Sequence, residues 1–358
     1  MLTSCKSPWQ ALGTLMLFLA FAVVAHGQPS PGSNRLDGEL LQVADAPQDN
    51  SATVRQLLHN GANVEARDAN GYTVLIHAAG KAHVNTVKAL LENGAKLEAK
   101  AEPEGRTALI NAVVYEQIDV MKLLLEKGAN VEAKNRDGWT ALMFAASRGN
   151  TGLVKLLLAN HAQIEAKDNY DGTALYQAAC DGKLESVRLL LLAGANIEAK
   201  NFEGATPLIA AAHVGNTPVV ALLLEKGAKI EATNKNGSGP LFQAAWGGNA
   251  EAAEVLLAHH ARVEATNDTG VTPLIVASRM GYIEVMKVLL ANGAKLENMD
   301  KAGRTALTAA AEDGDGPAVK FLLARGAHLE KMTFDAAKDH PDVRKILDEA
   351  QRKNQSSR

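Results

Sequence analysis

A carboxylate recurs at one position along this sequence, at Glu65, Glu98, Glu132, Glu165, Glu198, Glu231, Glu264, Glu297 and Glu330. Like charges brought into one row repel unless they are paired or hydrogen-bonded. Lysine or arginine stands two residues after the first five, at Arg67, Lys100, Lys134, Lys167 and Lys200. The row is therefore expected to be solvated and partly paired, and to accept hydrogen bonds from turn amides. Binding of a cation or a basic partner is the alternative. Thr233, Thr266, Met299 and Met332 replace the basic residue after the last four, which leaves that stretch the more negative.

Other chemistry-bearing patterns are few. The sequence has no H-E-x-x-H, no C-x-x-C, no P-loop and no G-x-S-x-G. Gly314-Asp315-Gly316 lacks the third glycine of a dinucleotide fingerprint and falls in a turn between helices. His259 and His260 are adjacent on a helix end and do not converge, so no metal site is expected there. Cys180 is the one cysteine after residue 27, which leaves no internal disulfide, and it reads as a small residue on a helix. Catalysis would require titratable groups converging in a cleft. No catalytic residue, metal or cofactor is expected. Asn236, Asn267 and Asn354 begin N-x-S/T sequons, the first two in turn segments.

The elements that position these residues are set by a period. Aligned on Thr140, the equivalent position falls at Thr73, Thr107, Thr173, Thr206, Gly239, Thr272 and Thr305, at steps of 34 once and 33 thereafter. A second marker keeps the same beat at Gly61-Ala62, Gly94-Ala95, Gly128-Ala129, His161-Ala162, Gly194-Ala195, Gly227-Ala228, His260-Ala261, Gly293-Ala294 and Gly326-Ala327. Within Asp137 to Lys167, Ala141-Leu142 and Ala145-Ala146 mark a short helix that ends at Gly149. Leu153 to Leu158 then supply a second, leucine-rich helix. One such hairpin of about 33 residues cannot bury its apolar face alone, so stacking is obligatory. Asn, Asp and Gly between hairpins read as a protruding turn.

These features, with Thr140-Ala141-Leu142, Thr206-Pro207-Leu208, Thr272-Pro273-Leu274 and the alanine pairs, resemble the ankyrin repeat over roughly residues 37 to 350. The resemblance implies an all-α repeat solenoid of about ten helix-turn-helix units joined by β-hairpin-like turns. Two departures are consistent. The histidine of the family's T-P-L-H is replaced by Ile76, Ile110, Met143, Tyr176, Ile209, Phe242, Ile275 and Thr308, and the glutamate row stands where the family commonly has asparagine.

The chain has 358 residues, 47% hydrophobic and 22% charged, with a formal net charge of -3, which gives no indication of nucleic-acid binding. Lys6 precedes an uncharged apolar run, Ala11 to Ala25, followed by Ala25-His26-Gly27. This is a secretory signal pattern, and the run is short of the roughly 20 residues that a bilayer span needs. The expected organisation is a signal peptide over 1–27, a linker over 28–36 and an N-terminal cap over 37–66. Eight regular units over 67–330, a C-terminal cap over 331–350 and a disordered tail over 351–358 follow. The mature chain is expected to be exported, periplasmic or secreted, with no membrane span; an uncleaved anchor facing outward is the alternative.

The resemblance implies a non-enzymatic scaffold that binds a protein partner through a groove of turn tips and first-helix ends. By position, that means the two residues before each turn glycine, the one after it, and the two after each alanine pair. Tyr72, Tyr115, Trp139, Tyr170, Phe202 and Trp246 fall on this set, six of the twelve aromatics after residue 27. Arg106, Arg136, Arg148 and Arg279 share it. Tyr, Trp and Arg dominate interface hot spots. A monomer that binds a protein is the expectation, with an envelope-associated or self-associating array as the alternative.

Overall fold

The computed structural model describes residues 34–356, so the expected signal peptide over 1–27 lies outside the described residues. Among the described residues there are twenty α-helices and no strand. They divide into two compact units, the first ending at Asn196 and the second beginning at Ile197.

The N-terminal unit holds α1 (Arg35–Asp45) with α2 (Ser51–His59), α3 (Val74–Gly80) with α4 (Val84–Glu92), and α5 (Ala108–Val114) with α6 (Ile118–Glu126). The pairs α7 (Ala141–Arg148) with α8 (Thr151–Ala159) and α9 (Ala174–Cys180) with α10 (Leu184–Leu192) complete it. The C-terminal unit holds α11 (Pro207–Val214) with α12 (Thr217–Glu225), and α13 (Pro240–Trp246) with α14 (Ala250–Ala258). It continues with α15 (Pro273–Arg279) and α16 (Ile283–Ala291), then α17 (Ala306–Glu312) and α18 (Gly316–Ala324). It ends with α19 (Lys331–Ala336), a 3-10 turn at Ala337–Asp339, and α20 (Pro341–Ser356). Within each unit, first helices pack on first helices and second helices on second helices.

Seven first helices, all but α1, α13 and α19, start at a threonine that supplies a cap. In the N-terminal unit Thr73, Thr107, Thr140 and Thr173 accept the amides of Ile76, Ile110, Met143 and Tyr176. Every residue of α5 is buried, which the small Ala108 and Ala112 permit by letting α3 and α7 approach. The second helices bury one face only; in α8 it is Leu153, Val154 and Leu157. The former histidine slot is apolar and buried in seven repeats, as its residue types require. The eighth, Thr308, is buried as well and shares hydrogen bonds with the hydroxyls of Thr305 and Thr333.

The turn after each second helix needs a left-handed residue. Glycine provides it with φ of 84° at Gly94 and Gly128, but His161 and His260 adopt φ of 63° and 68°. A Cβ added at Gly94 or Gly128 meets nothing within 4 Å, so histidine fits sterically and only the backbone conformation costs free energy.

Two residues on, the chain turns its amide toward the preceding repeat, and there the carboxylate row has its role. In the N-terminal unit one oxygen each of Glu65, Glu98, Glu132 and Glu165 accepts the amide of Lys96, Asn130, Gln163 and Asn196, all at 2.7 Å. Asp37 of α1 does the same for Asn63 at 2.7 Å, so the ladder begins inside the cap. In the C-terminal unit Glu198, Glu231, Glu264 and Glu297 accept from Lys229, Arg262, Lys295 and His328 at 2.7–3.0 Å.

The expected pairing of these glutamates with the basic residue two positions on is not how those residues are used. Arg67 Nη1 donates to the Lys100 carbonyl at 2.7 Å, Lys100 Nζ to Lys134 O at 2.8 Å, and Lys134 Nζ to Lys167 O at 2.7 Å. Long cationic side chains satisfy turn carbonyls one repeat ahead, while the carboxylates satisfy amides.

The boundaries differ from expectation at both ends. Helix α1 starts at Arg35, inside the expected linker, because Asn34 Oδ1 caps the amide of Asp37. Helix α20 runs to Ser356, since nothing in the segment after Ala350 breaks a helix. The long connection between α1 and α2 also has a use: Asp49 accepts the amides of Asn85 and Thr86 and the Thr86 hydroxyl, capping α4 from the repeat before it.

Replacing His161 by glycine is expected to stabilise the chain by about 0.5–1 kcal/mol, because relief of the left-handed strain exceeds glycine's greater unfolded entropy. Equilibrium urea unfolding should show a higher midpoint at an unchanged slope.

Candidate protein-binding surface

Seven of the turn tips are built on an Asn or Asp whose side chain folds back on the loop, while the tip carrying Arg106 has Ala101 there and closes through backbone bonds alone. Asn135 Oδ1 accepts the amides of Asp137 and Trp139, and Asn135 N donates to Trp139 O at 3.0 Å, a hairpin-like turn without strands. Tips are tied to one another within a unit: Arg136 N donates to Glu104 O, Asn169 N to Asp137 O, and Lys235 N to Glu203 O.

This construction decides where the expected surface residues point. The residue after the turn glycine is pulled in by the Asx side chain and leads directly into the threonine cap. Trp139 is in consequence 2% exposed, its ring 5.0 Å from Phe144, and it is a core residue rather than a groove contact. Arg106 occupies the same slot, its side chain 11% exposed and its Nε 3.0 Å from Glu104. Tyr72, also in this slot, is half-buried, and its hydroxyl donates to Glu104 Oε2 at 2.7 Å. Burial, and then that bond, push its phenol above the ordinary range. Tyr72, Glu104 and Arg106 thus form one tip-to-tip cluster.

Tip positions before the glycine face outward. Arg136 is exposed, as are Tyr170 and Phe202, both at 59%. Lys235 Nζ sits 4.5 Å from the Phe202 ring centroid. The tip carrying Tyr170 is shifted in register. Asp171 takes the left-handed conformation at φ 59°, and Gly172 fills the inward slot, where a Cβ would lie 2.8 Å from Asp168 Oδ2 and Gln177 Nε2.

The first-helix ends supply the rest. Tyr115 follows α5, 53% exposed, its ring over Gly80, where an added Cβ would stand 3.1 Å from it. Arg148 ends α7, half-buried; burial lowers its pKa, opposed by the nearby Glu116 and reinforced by Arg106. In the C-terminal unit Trp246 is 38% exposed and stacked on Phe242 at 6.4 Å. Arg279 is held by Glu312 and Asp313 at 3.5 and 3.3 Å. Met280 and Tyr282 are exposed beside these positions, and the Tyr282 ring lies over Gly248. Tyr282 stands two residues past the positions considered from sequence; extending the set to the start of the second helix would have included it.

A family model described as ankyrin repeats (3 copies) matches residues 40–135, 129–201, 192–267 and 241–333. The chain belongs to the ankyrin repeat family. Ankyrin repeats are in general protein-interaction scaffolds and typically non-enzymatic. No curated protein matches the sequence. Among the described residues no three His, Cys, Asp or Glu side chains are grouped to hold a metal ion, and no helix is long and apolar enough to cross a membrane.

In this ankyrin array three of the Asx slots hold aspartate, each with a partner for its second oxygen: His77 for Asp68, Gln177 for Asp168 and Arg304 for Asp300. Arg304 holds Asp300 below the usual carboxylate range despite burial. Asp168 has only the neutral Gln177, and burial pushes its carboxyl up. A raised folded pKa means that its ionised form costs stability at neutral pH and that the cost fades as pH falls through that value. Asp168→Asn keeps the acceptor for Tyr170 and Gly172 and should stabilise the chain at pH 7, with the difference from wild type shrinking as the solution is acidified. Parallel thermal melts across pH measure this.

Proposed function

We propose that the chain is an exported, non-enzymatic scaffold that recognises a protein partner through its outward tips and first-helix ends. The observation that carries this reading is the exposure of Tyr115, Tyr170, Phe202 and Trp246, rings that the packing of their own repeats does not consume. Such side chains offer large contact area with few rotatable bonds. The tips that hold Tyr170 and Phe202 are fastened by backbone bonds to their neighbours, so little ordering entropy is lost on binding. Arg136, exposed on its tip, adds a charged contact. Trp139, Arg106 and Arg279 are supports within this reading rather than contacts.

Export rests on the N-terminal pattern: Lys6, the uncharged run Ala11 to Ala25, and small residues at Ala25 and Gly27. N-terminal sequencing of the chain from its source should then begin at Gln28; a chain that still starts at Met1 opposes it.

Affinity capture with residues 28–358, compared with a Tyr115→Ala, Trp246→Ala variant, tests the surface. A partner should bind the variant at least about tenfold more weakly while its circular dichroism is unchanged. Trp139→Ala should instead cost about 3–5 kcal/mol of stability. Retention of the same proteins by both baits would remove these residues from the binding surface.

A further inference from the structure

The first-helix ends of the C-terminal unit change character over three successive repeats. Helices α13, α15 and α17 end at Trp246, Arg279 and Glu312, and the next residues are Gly247, Met280 and Asp313. Asn249, Tyr282 and Asp315 then precede α14, α16 and α18. Trp246, Met280 and Tyr282 are each more than a third exposed. Trp246 stacks on Phe242 and the Tyr282 ring rests on Gly248, while a Cβ at Gly247 would collide with the His213 carbonyl, so no side chain covers the step between the two rings. The inward tip slots of these repeats hold Ser238 and Val271, both buried and uncharged. Aromatic and methionine side chains are enriched where proteins meet.

The repeat that follows is acidic. Four carboxylates, of Asp300, Glu312, Asp313 and Asp315, meet the two guanidiniums of Arg279 and Arg304, which leaves a formal excess of two negative charges. Arg279 lies 3.5 Å from Glu312 and 3.3 Å from Asp313, and Arg304 lies 2.8 Å from Asp300 and 3.2 Å from Glu312. Lys301 on the adjoining tip is offset by Asp268 on the tip before it, and His340 faces the carbonyl of Glu312. Asp315 gives Oδ1 to the amide of Ala318 and rests its other oxygen on Gly281, the residue between Met280 and Tyr282, so a carboxylate borders the apolar patch. Glu312 and Asp313 keep nearly half of their side-chain surface in water. No such sign marks the N-terminal unit, where Arg148 has both Tyr115 and Glu116 close by.

Resting on the protein-binding reading above, we infer that the partner segment seated on the C-terminal unit is basic as well as apolar. One apolar side chain lies among Trp246, Met280 and Tyr282, and a neighbouring lysine or arginine lies against Asp313 and Asp315. Contact with the rings sets most of the affinity, whereas charges at a hydrated rim steer association and are screened by salt.

The test is selection of random linear peptides from a display library on residues 28–358, which hold every described residue. Enriched peptides should pair an apolar residue with lysine or arginine. A synthetic copy of one should bind Trp246→Ala at least about tenfold more weakly and Tyr115→Ala as it binds the wild type. Tyr282→Ala repeats the test should Trp246→Ala alter the circular dichroism. In Asp313→Asn, Asp315→Asn the α18 cap survives, since asparagine caps as well, and association should be slower and less dependent on salt. Enriched peptides without a basic residue, or binding indifferent to the asparagine pair, overturn the inference. Peptides lost only with Tyr115→Ala overturn it while leaving the protein-binding reading in place; the absence of any enriched peptide opposes both. Sedimentation of the wild type as a dimer that Trp246→Ala dissociates would make the occupant a second copy and overturn it as well.

Discussion

Each second helix from α2 to α18 ends in a turn that leaves a backbone amide without an intrahelical partner, and the stacking depends on who accepts it. A carboxylate from the preceding repeat does so, at Glu65, Glu98, Glu132 and Glu165 in the N-terminal unit and at Glu198, Glu231, Glu264 and Glu297 in the C-terminal unit. A charged acceptor makes a stronger bond to an amide than a neutral one. The side chain reaches 31 residues forward, or 32 at Glu98, so it fixes the spacing of consecutive hairpins as well as satisfying the turn. Asp37 extends the same device into the cap from a different backbone position, which indicates that the amide, rather than the glutamate, is the invariant requirement.

The period and residue types announced much of this. Threonine caps, glycine at left-handed turns, alanine on the buried first helices and leucine on one face of the second follow from local physics. The structure places them accordingly. What the sequence could not convey was direction. Trp139 and Phe202 both sit on turn segments, yet the fold-back of Asn135 takes the Trp139 ring inward while Phe202 stays in solvent. Tyr170 carries a D-G pair displaced by one residue, and only the backbone dihedrals reveal that Asp171, not Gly172, turns left-handed. The lysines after the glutamates look like their counter-ions on paper, but their length carries them to a carbonyl one repeat on.

The same ties that stack the repeats make the candidate surface stiff. Tips within a unit are joined amide to carbonyl, and Tyr115 and Tyr282 lie over Gly80 and Gly248, where an added Cβ would stand 3.1 and 3.0 Å from their rings. Stability of a repeat array is close to a sum over neighbours, so weakening one tie is expected to act locally before it acts globally. That locality allows the central claim to be examined one amide at a time.

The most direct measurement is amide hydrogen exchange by NMR at Lys96, Asn130 and Gln163, in the wild type and in Glu98→Ala. These amides lie in exposed turns, where unbonded groups exchange at the rate of free peptide. The carboxylate ladder predicts slow exchange at all three in the wild type, and loss of protection at Asn130 in the variant with Gln163 still protected. Exchange of all three at the free-peptide rate, or an Asn130 amide indifferent to the loss of Glu98, would contradict it.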